Sequence, residues 1–356
     1  MAIVLAVDIM SGDHGVNVTV PACVAFLQKN PDVKLILIGD RDTIYKYIGN
    51  SLSKYSDRLE VVHSTQVVDM DEAPQLAMRN KKDSSMRIAI NQVKDGKAHA
   101  IISAGNTGAL MAIARYVLRT MKGIDRPAIA KLLPTIKGEV CVLDLGANVE
   151  SSPEHLLQFG IMGTQLMKAV THKPSPSVGI LNIGSEEIKG HEGIKKATEL
   201  FKKSNLNFYG NVEGDDINKG TVDVVVCDGF TGNVALKTIE GVAKMISFFL
   251  KEEFTNSTLS KLMAVISYPV LNRVKQRLDP RKYNGAVLLG LNGLVIKSHG
   301  GADEIAFYYA LEQAYHEVNA GVLNLLEGFL NQHKELLDDK DDSKKELAEF
   351  KYLNML

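Results

Sequence analysis

The sequence predicts an α/β protein: three layers, with helices on both faces of a mostly parallel sheet, and one helical projection. Short β-branched or apolar runs alternate with segments of helical periodicity. Several of those runs are continuously apolar, as strands covered on both faces must be. One stretch breaks the alternation and reads as helix alone.

In chain order, strands are expected at Ile3–Val7, Lys34–Ile38, Leu59–His63, Ala100–Ser103, Val140–Leu143, Ser177–Leu181, Asn207–Tyr209 and Val222–Val226. Helical spacing fills gaps between them at Ser85–Lys94, Gly108–Thr120, Pro153–Val170, Gly193–Lys203 and Asn233–Lys251. The opening MAIVLAVDIM reads straight into the first strand without a basic leader, so no signal peptide is expected. From about Phe248 to Arg281 the strand signal vanishes. There Leu259, Leu262, Met263, Ile266, Val270, Val274 and Leu278 recur at helical spacing, with Pro269 as a kink. Lys261, Arg273, Lys275, Arg277, Arg281 and Lys282 make the same stretch basic. A basic amphipathic segment suits a membrane surface or a partner helix, and a dimer or core contact is the plainer alternative. From about Gln332 the chain is charge-dense, with Leu347, Phe350 and Leu353 at the spacing of one apolar stripe. No linker interrupts the chain, so residues 1–331 read as one domain that includes the projection at 248–281, and 332–356 as a C-terminal helix or tail.

The bulk numbers exclude several classes. Hydrophobic content of 45% and charged content of 23% are those of a soluble globular protein. A net charge of −1 argues against nucleic acid as a partner. Three cysteines without CxxC spacing give little support to a disulfide framework or a zinc site, and Cys141 and Cys227 sit in apolar runs where burial is expected. No uncharged apolar run reaches the roughly 18 residues of a membrane span. A cytoplasmic protein is expected.

In an open parallel sheet the loops after the strands' carboxyl ends gather along one edge, where ligands bind. That rule would collect VDIMSGDHG, SAGNTGAL, LDLGANVES, LNIGSEEIKGHEG and CDGFTGNVALKT into one site. AGNTGA and DGFTGN share a G-x-T-G core: Gly105, Thr107 and Gly108 echo Gly229, Thr231 and Gly232. Glycines there allow close backbone approach, and the following helix N-termini favour an anion, most simply phosphate, held by Gly105, Asn106, Thr107 and Gly108. A tight turn with an N-cap is the bland alternative. Neither dinucleotide nor Walker spacing occurs at these turns. Lys189 and His191, and Lys297, Ser298 and His299, lie in glycine-flanked loops where an anion could be held, or are solvated charges. Asp228 is either a helix cap or a base and orienting group; Asp8 and Asp13 carry the same ambiguity, with a metal site as a weaker reading.

Taken together, VDIMSGDHG, SAGNTGALM, LDLGANVES, LNIGSEEIKG, VCDGFTGNVALKT and YNGAVLLGLNGLVIKSHG resemble the phosphate acyltransferases of the PlsX family, in order from about Ala2 to about Gln332. The resemblance implies an α/β/α fold like those of phosphate acetyltransferases and isopropylmalate dehydrogenase, assembled as a homodimer. It implies transfer of a long fatty acyl chain from acyl carrier protein to inorganic phosphate, giving acyl phosphate for a downstream glycerol-3-phosphate acyltransferase. It also implies peripheral association with the membrane, through Leu259, Leu262, Met263 and Ile266 in this chain. Ser11 and Val16 stand where the family usually has glycine and proline, and Ser11 is small enough to keep the turn.

Phosphate is already nucleophilic, so no covalent intermediate, metal or other cofactor is expected. Asn148, Asn182 and Asn233 are neutral donors suited to a carbonyl oxygen, Lys189 and Lys297 would neutralise phosphate, and Asp228 or His299 would orient phosphate or protonate the thiolate; Thr231 belongs with the substrate-binding turns. A CoA-dependent transacetylase, a dehydrogenase of the related fold and a catalytically idle membrane scaffold are the competing functions.

Overall fold

The structure, a computed structural model, describes residues 2–333. Its first part is β1 (Ile3–Asp8), α1 (Val16–Lys29), β2 (Val33–Gly39), α2 (Arg41–Ile48), α3 (Ser51–Lys54), β3 (Leu59–His63), α4 (Pro74–Asn80), α5 (Ser85–Lys94), β4 (Ala100–Ser103) and α6 (Thr107–Leu118). A hairpin of β5 (Ala128–Thr135) and β6 (Gly138–Leu143) precedes α7 (Pro153–Thr171), which Ser152 and Pro153 start with a capping box. Then come β7 (Ser177–Leu181), α8 (Glu192–Lys203), β8 (Asn207–Val212), α9 (Gly214–Lys219), β9 (Val224–Val226), α10 (Gly229–Thr255) and α11 (Thr258–Leu278). A 3₁₀ turn leads to a second hairpin, β10 (Ala286–Leu289) and β11 (Leu294–Lys297), and α12 (Glu304–Asn319) and α13 (Val322–Gln332) follow. The expected C-terminal helix or tail lies, beyond residue 333, outside the described residues.

All these strands join one eleven-stranded sheet in the order β3-β2-β1-β4-β11-β10-β5-β6-β9-β7-β8. Side chains alternate between its faces. Leu5, Val7, Leu35 and Leu37 pack with Phe26, Phe159 and Phe307 on one side, while Ala6, Ile36, Ile38 and Ile101 pack with Met86, Ile90, Leu110 and Ile113 on the other. This double burial accounts for the continuous apolar runs, and the three layers are those expected.

The sheet is mostly parallel, as expected, but its two parallel groups are opposed in direction. β10 runs against both β11 and β5, and β6 runs against β5. After these three reversals, the parallel group β3-β2-β1-β4-β11 points opposite to the parallel group β6-β9-β7-β8. The carboxyl ends therefore do not share an edge. They share a line instead. Asp8 is level with Ser103, Ser103 with Lys297, and Lys297 with Ala286. Val287 is level with Ala130, which sets Ala286 opposite Lys131; Lys131 is level with Val142, and Val142 with Val225. β1, β4 and β11 end on that line, and β6 and β9 end one residue past it. The two groups point at each other and are slid past one another, so their tips meet across the middle of the sheet.

The strands that make this geometry, β5, β10 and β11, are those absent from the sequence expectation. β5 carries Lys131 and Pro134 in its run, and β10 and β11 have four residues each. The projection also starts earlier than expected. Ala235, Leu236 and Ile239 of α10 pack on the sheet, but α10 buries only Gly229 and Gly232, and α11 buries nothing. Arg281 does not belong to the basic face of the projection: it pairs with Asp279 at 2.6 Å and with Asp303 at 3.2 Å on the body.

On the inner face of α12, Glu317 is fully buried, accepts a 2.7 Å hydrogen bond from Gln313 Nε2, and is pushed by burial from 4.5 up to about 8. The folded state then keeps a proton that the unfolded chain releases near its ordinary pKa, so this group's contribution to stability falls as pH rises from there towards about 8. Glu317→Gln keeps the neutral shape and removes that slope. Thermal melts should show the variant close to wild type at low pH and more stable above about pH 8, by on the order of 2 kcal/mol. Equal pH slopes in the two proteins would show Glu317 to be ionised in the fold.

Candidate active site

The line where the strand tips meet is a row of polar side chains on one face of the sheet, since residues level with one another in neighbouring strands point the same way. Asp8, Ser103, Lys297 and Lys131 occupy it. Asp8 is 1% exposed, and Ser103 Oγ donates to its carboxylate at 2.7 Å. Burial raises Asp8 to about 6, while hydrogen bonds from Ser85, Ser103 and the Met10 backbone, together with Lys297, oppose the rise. Ser11 uses the oxygen that a glycine would lack: it donates to the Asp8 carbonyl at 2.7 Å and accepts from Ala104 N at 2.9 Å. The substitution thus binds the first turn to the fourth strand's turn.

Lys297 Nζ donates to Ala104 O at 3.3 Å and to Ser298 O, which sets it beside the AGNTGA turn. Burial lowers it to about 8, with Asp13 and Asp8 resisting. His299 follows on the same loop. Its Nδ1 accepts from Gly301 N at 3.1 Å, leaving Nε2 as the ring nitrogen free to exchange a proton. Burial and then Lys237 lower its pKa, so the ring is neutral near pH 7.

Within AGNTGA, most of the closeness comes from the protein itself. A Cβ on Gly105 would lie 2.7 Å from Met86 Cε, and one on Gly108 2.7 Å from Pro74 Cγ. Asn106 is the N-cap of α6: its Oδ1 accepts from Ala109 N at 3.0 Å, and its Nδ2 donates to Met70 O and Glu72 O, each at 2.9 Å. Its side chain has no donor left for a ligand, contrary to expectation. Gly105 N donates to Ser103 Oγ at 3.1 Å. Thr107 is exposed at the helix start, and no described group accepts from the amides of Thr107 and Gly108.

The opposing turns are built on Asp144. This carboxylate is 0% exposed and accepts from Ile129 N, Gly146 N, Ala147 N, Asn148 N and Asn148 Nδ2, at 2.7 to 3.2 Å. Burial still raises its pKa. Asn148 Nδ2 also donates to Pro127 O at 2.9 Å, so both its hydrogens are committed and the expected carbonyl donor is a brace. Asp228 caps α10, accepting from Thr231 N at 2.8 Å and Thr231 Oγ1 at 3.0 Å. The cap reading holds for it, and Thr231 spends its hydroxyl there. Gly229 and Gly232 admit the turn's own backbone: their Cβ atoms would lie 2.6 Å from Asn148 O and 1.9 Å from Asp144 O. Asn233 is exposed one residue on, its Cβ 3.8 Å from where Gly146 would carry one. Asn182 donates to Lys189 O at 3.1 Å and accepts from Ile183 N at 2.8 Å, which shapes its own loop; Lys189 is exposed on that loop.

Helix α10 joins the two sets of turns. It starts at Asp144's turn and brings Lys237 and Glu240 back over the row. Glu240 lies 3.9 Å from Lys131 Nζ and 2.9 Å from Lys237 Nζ. Despite the upward push of burial, Glu240 is held below its ordinary value by Lys237, Lys131 and His299. Burial lowers Lys131, with Glu240 resisting. His299 feels Lys237, Glu240, Lys297 and Lys131, so the groups of both halves meet around it. Among the described residues, no group of three or more His, Cys, Asp or Glu is arranged to hold a metal ion.

A family model described as "Fatty acid synthesis protein" matches residues 3–325. The chain belongs to this family, the PlsX family. It is an acyltransferase. A phosphate acyltransferase from Chromobacterium violaceum is 62% identical over 323 residues, covering 91% of this chain and 94% of that protein. One from Paraburkholderia xenovorans is 54% identical, covering 95% of this chain and 92% of its own length. Among solved structures, a phosphotransacetylase from Streptococcus pyogenes aligns with a TM-score of 0.60 over 90% of this chain and 94% of its own, at 14% identity. A branched-chain phosphotransacylase from Enterococcus faecalis gives 0.53, with 89% and 99% coverage and 13% identity. At those identities the likeness is one of fold.

Lys131, Lys237 and Glu240 escaped the sequence reading, which placed Asp144 in the LDLGANVES turn but not its bracing role. A lysine inside AIAKLLP, flanked by buried residues, was the available signal for the first. For the acyltransferase, the tightest joint between its halves is Gly232 against Asp144 O. Gly232→Ala should force α10 off the turn and cost about 3 kcal/mol in urea unfolding. A loss below about 0.5 kcal/mol would mean that the turn yields freely.

Proposed function

We propose that this acyltransferase moves a long fatty acyl group from the thioester of acyl carrier protein to inorganic phosphate, releasing acyl phosphate for glycerol-3-phosphate acylation in phospholipid synthesis. The observation that carries the reading is Lys297: a lysine beside the AGNTGA turn, on the line where the tips of the two opposed strand groups meet, with His299 close by. Its surroundings suit a small dianion, and the relatives' names supply the acceptor.

An oxygen of the phosphate dianion forms the new C–O bond to the thioester carbon. The C–S bond breaks, and the departing thiolate takes up the proton that the phosphate hydroxyl gives up. Lys297 and the amides of Thr107 and Gly108 hold the phosphate. His299, neutral with Nε2 free, passes the proton. Asn233, exposed at the start of α10, suits the carbonyl oxygen, since Asn148 has both amide hydrogens committed; Asn182 keeps one amide hydrogen beside its bond to Lys189 O. Lys189, on its exposed loop, suits the phosphopantetheine phosphate of the carrier. Holding both reactants together accounts for much of the rate, as effective molarities reach about 10⁵ M or more.

The projection suits a membrane surface. Leu259, Leu262, Met263 and Ile266 are 64%, 58%, 54% and 71% exposed, and Phe248 and Phe249 stand open near the end of α10. No described helix is long and apolar enough to cross a membrane. We place the enzyme in the cytoplasm, as a homodimer bound peripherally to the inner face of the cell membrane, where a greasy product would meet the next acyltransferase.

Purified protein with palmitoyl-acyl carrier protein and phosphate should yield acyl phosphate, trapped as its hydroxamate, while palmitoyl-CoA should yield none; product from CoA alone would move the enzyme to the transacetylases. Lys297→Met should lower kcat/KM for phosphate by about 10- to 100-fold. In wild type, binding by the lysine cation should weaken as pH rises through about 8. Leu262→Glu with Ile266→Glu should abolish flotation with anionic liposomes; a folded variant that floats like wild type would refute the membrane role.

A further inference from the structure

Lys131 is an unusual residue for its place. It sits in the central part of a strand whose neighbours Ala130 and Leu132 are buried, and its side chain is only 15% exposed. A cation there is costly unless something answers its charge. What answers it is Glu240, at 3.9 Å, beyond hydrogen-bonding distance, and Glu240 is shared with Lys237 at 2.9 Å. The charges do not balance locally. Lys297, the next cation along the row, is countered by Asp13 and Asp8 on its far side. Lys131 and Lys237 have one carboxylate between them, and the neutral His299 stands between that group and Lys297.

Resting on the phosphate acyltransfer reading above, we propose that Lys131 and Lys237 complete the acceptor site from the α10 side, so that the phosphate dianion is held between them and Lys297 while Glu240 occupies the same cations when phosphate is absent. Glu240 is then a competitor of the substrate, built into the fold. It keeps a partly buried pair of lysines compensated in the empty enzyme and yields them when a doubly charged anion arrives. Because Lys131 lies on β5, which pairs with β6 of one group, α10 springs from the Asp144 turn of that same group, and Lys297 ends β11 of the other, bound phosphate would bridge the two groups at the line where their strand tips meet.

The competition makes opposite predictions for the two partners of one ion pair. In steady-state assays with palmitoyl-acyl carrier protein held saturating, Lys131→Met should raise KM for inorganic phosphate at least about 10-fold, with a smaller change in KM for the acyl carrier protein. Lys237→Met, at an exposed position that does not endanger folding, should raise KM for phosphate several-fold. Glu240→Gln should lower it. Calorimetric titration of inorganic phosphate into each folded variant should follow the same order, independently of turnover, and Lys131→Arg should restore part of the affinity. If the Lys131–Glu240 pair is only structural, Lys131→Met and Glu240→Gln will lower the melting temperature together and leave phosphate binding alike, which overturns the proposal. Wild type that makes acyl phosphate while Lys131→Met and Lys237→Met keep its KM for phosphate also overturns it. A wild type that makes no acyl phosphate at all overturns instead the reading on which it rests.

Discussion

The register of β10 against β11 and β5 is the constraint on which the rest depends. Two parallel sheets set edge to edge in opposite directions would normally put their strand ends, and so their loops, at opposite ends of the molecule. Here three antiparallel pairings slide one group along the other until Lys297, Lys131 and Val142 stand level. Slipping that pairing by one residue would turn every side chain of one half to the wrong face. The row from Asp8 to Lys131 exists because the pairing holds, and so does the path that brings α10 back across it.

The second organising force is close backbone approach. Asp144 gathers five hydrogen-bond donors, and Gly232 lets the first turn of α10 sit against its carbonyl. A buried carboxylate with that many donors is well compensated, so it can serve as a rigid joint rather than a reactive group. The glycine-and-threonine turns thus have a mainly internal explanation. Met86 and Pro74 crowd one of them and the 144–148 turn crowds the other, which leaves open a narrow strip of amides at Thr107 and Gly108 with Lys297 beside it.

Much of the fold was legible because its parallel strands are apolar on both faces and its helices keep their spacing: β1 to β4 and β6 to β9 all lie where the runs placed them, within a few residues. The strands that reverse direction were not legible, since four-residue strands and a run broken by Lys131 and Pro134 lack a distinctive period. The site was legible as a set of turns but not as an arrangement. Lys297 and His299, which the motif reading singled out, stand beside the AGNTGA turn and among Lys237, Glu240 and Lys131 respectively. Asn106, Asn148 and Asp228 carry the right chemistry and spend it on caps and braces, which spacing alone cannot separate from catalysis. Lys237 and Glu240 were hidden for the opposite reason: on an exposed helical surface a Lys and a Glu three residues apart look like ordinary solvated charges.

α10 is one uninterrupted helix from Gly229 to Thr255, with its root wedged against Asp144 and its far end carrying α11. At 1.5 Å per residue, the stretch beyond Glu240 is an arm of about 20 Å. The arm is one continuous helix and its fulcrum lies at the Asp144 turn, so a rotation imposed at the tip is carried along the helix to Lys237 and Glu240. Whatever the tip rests on will have mechanical leverage over the candidate site.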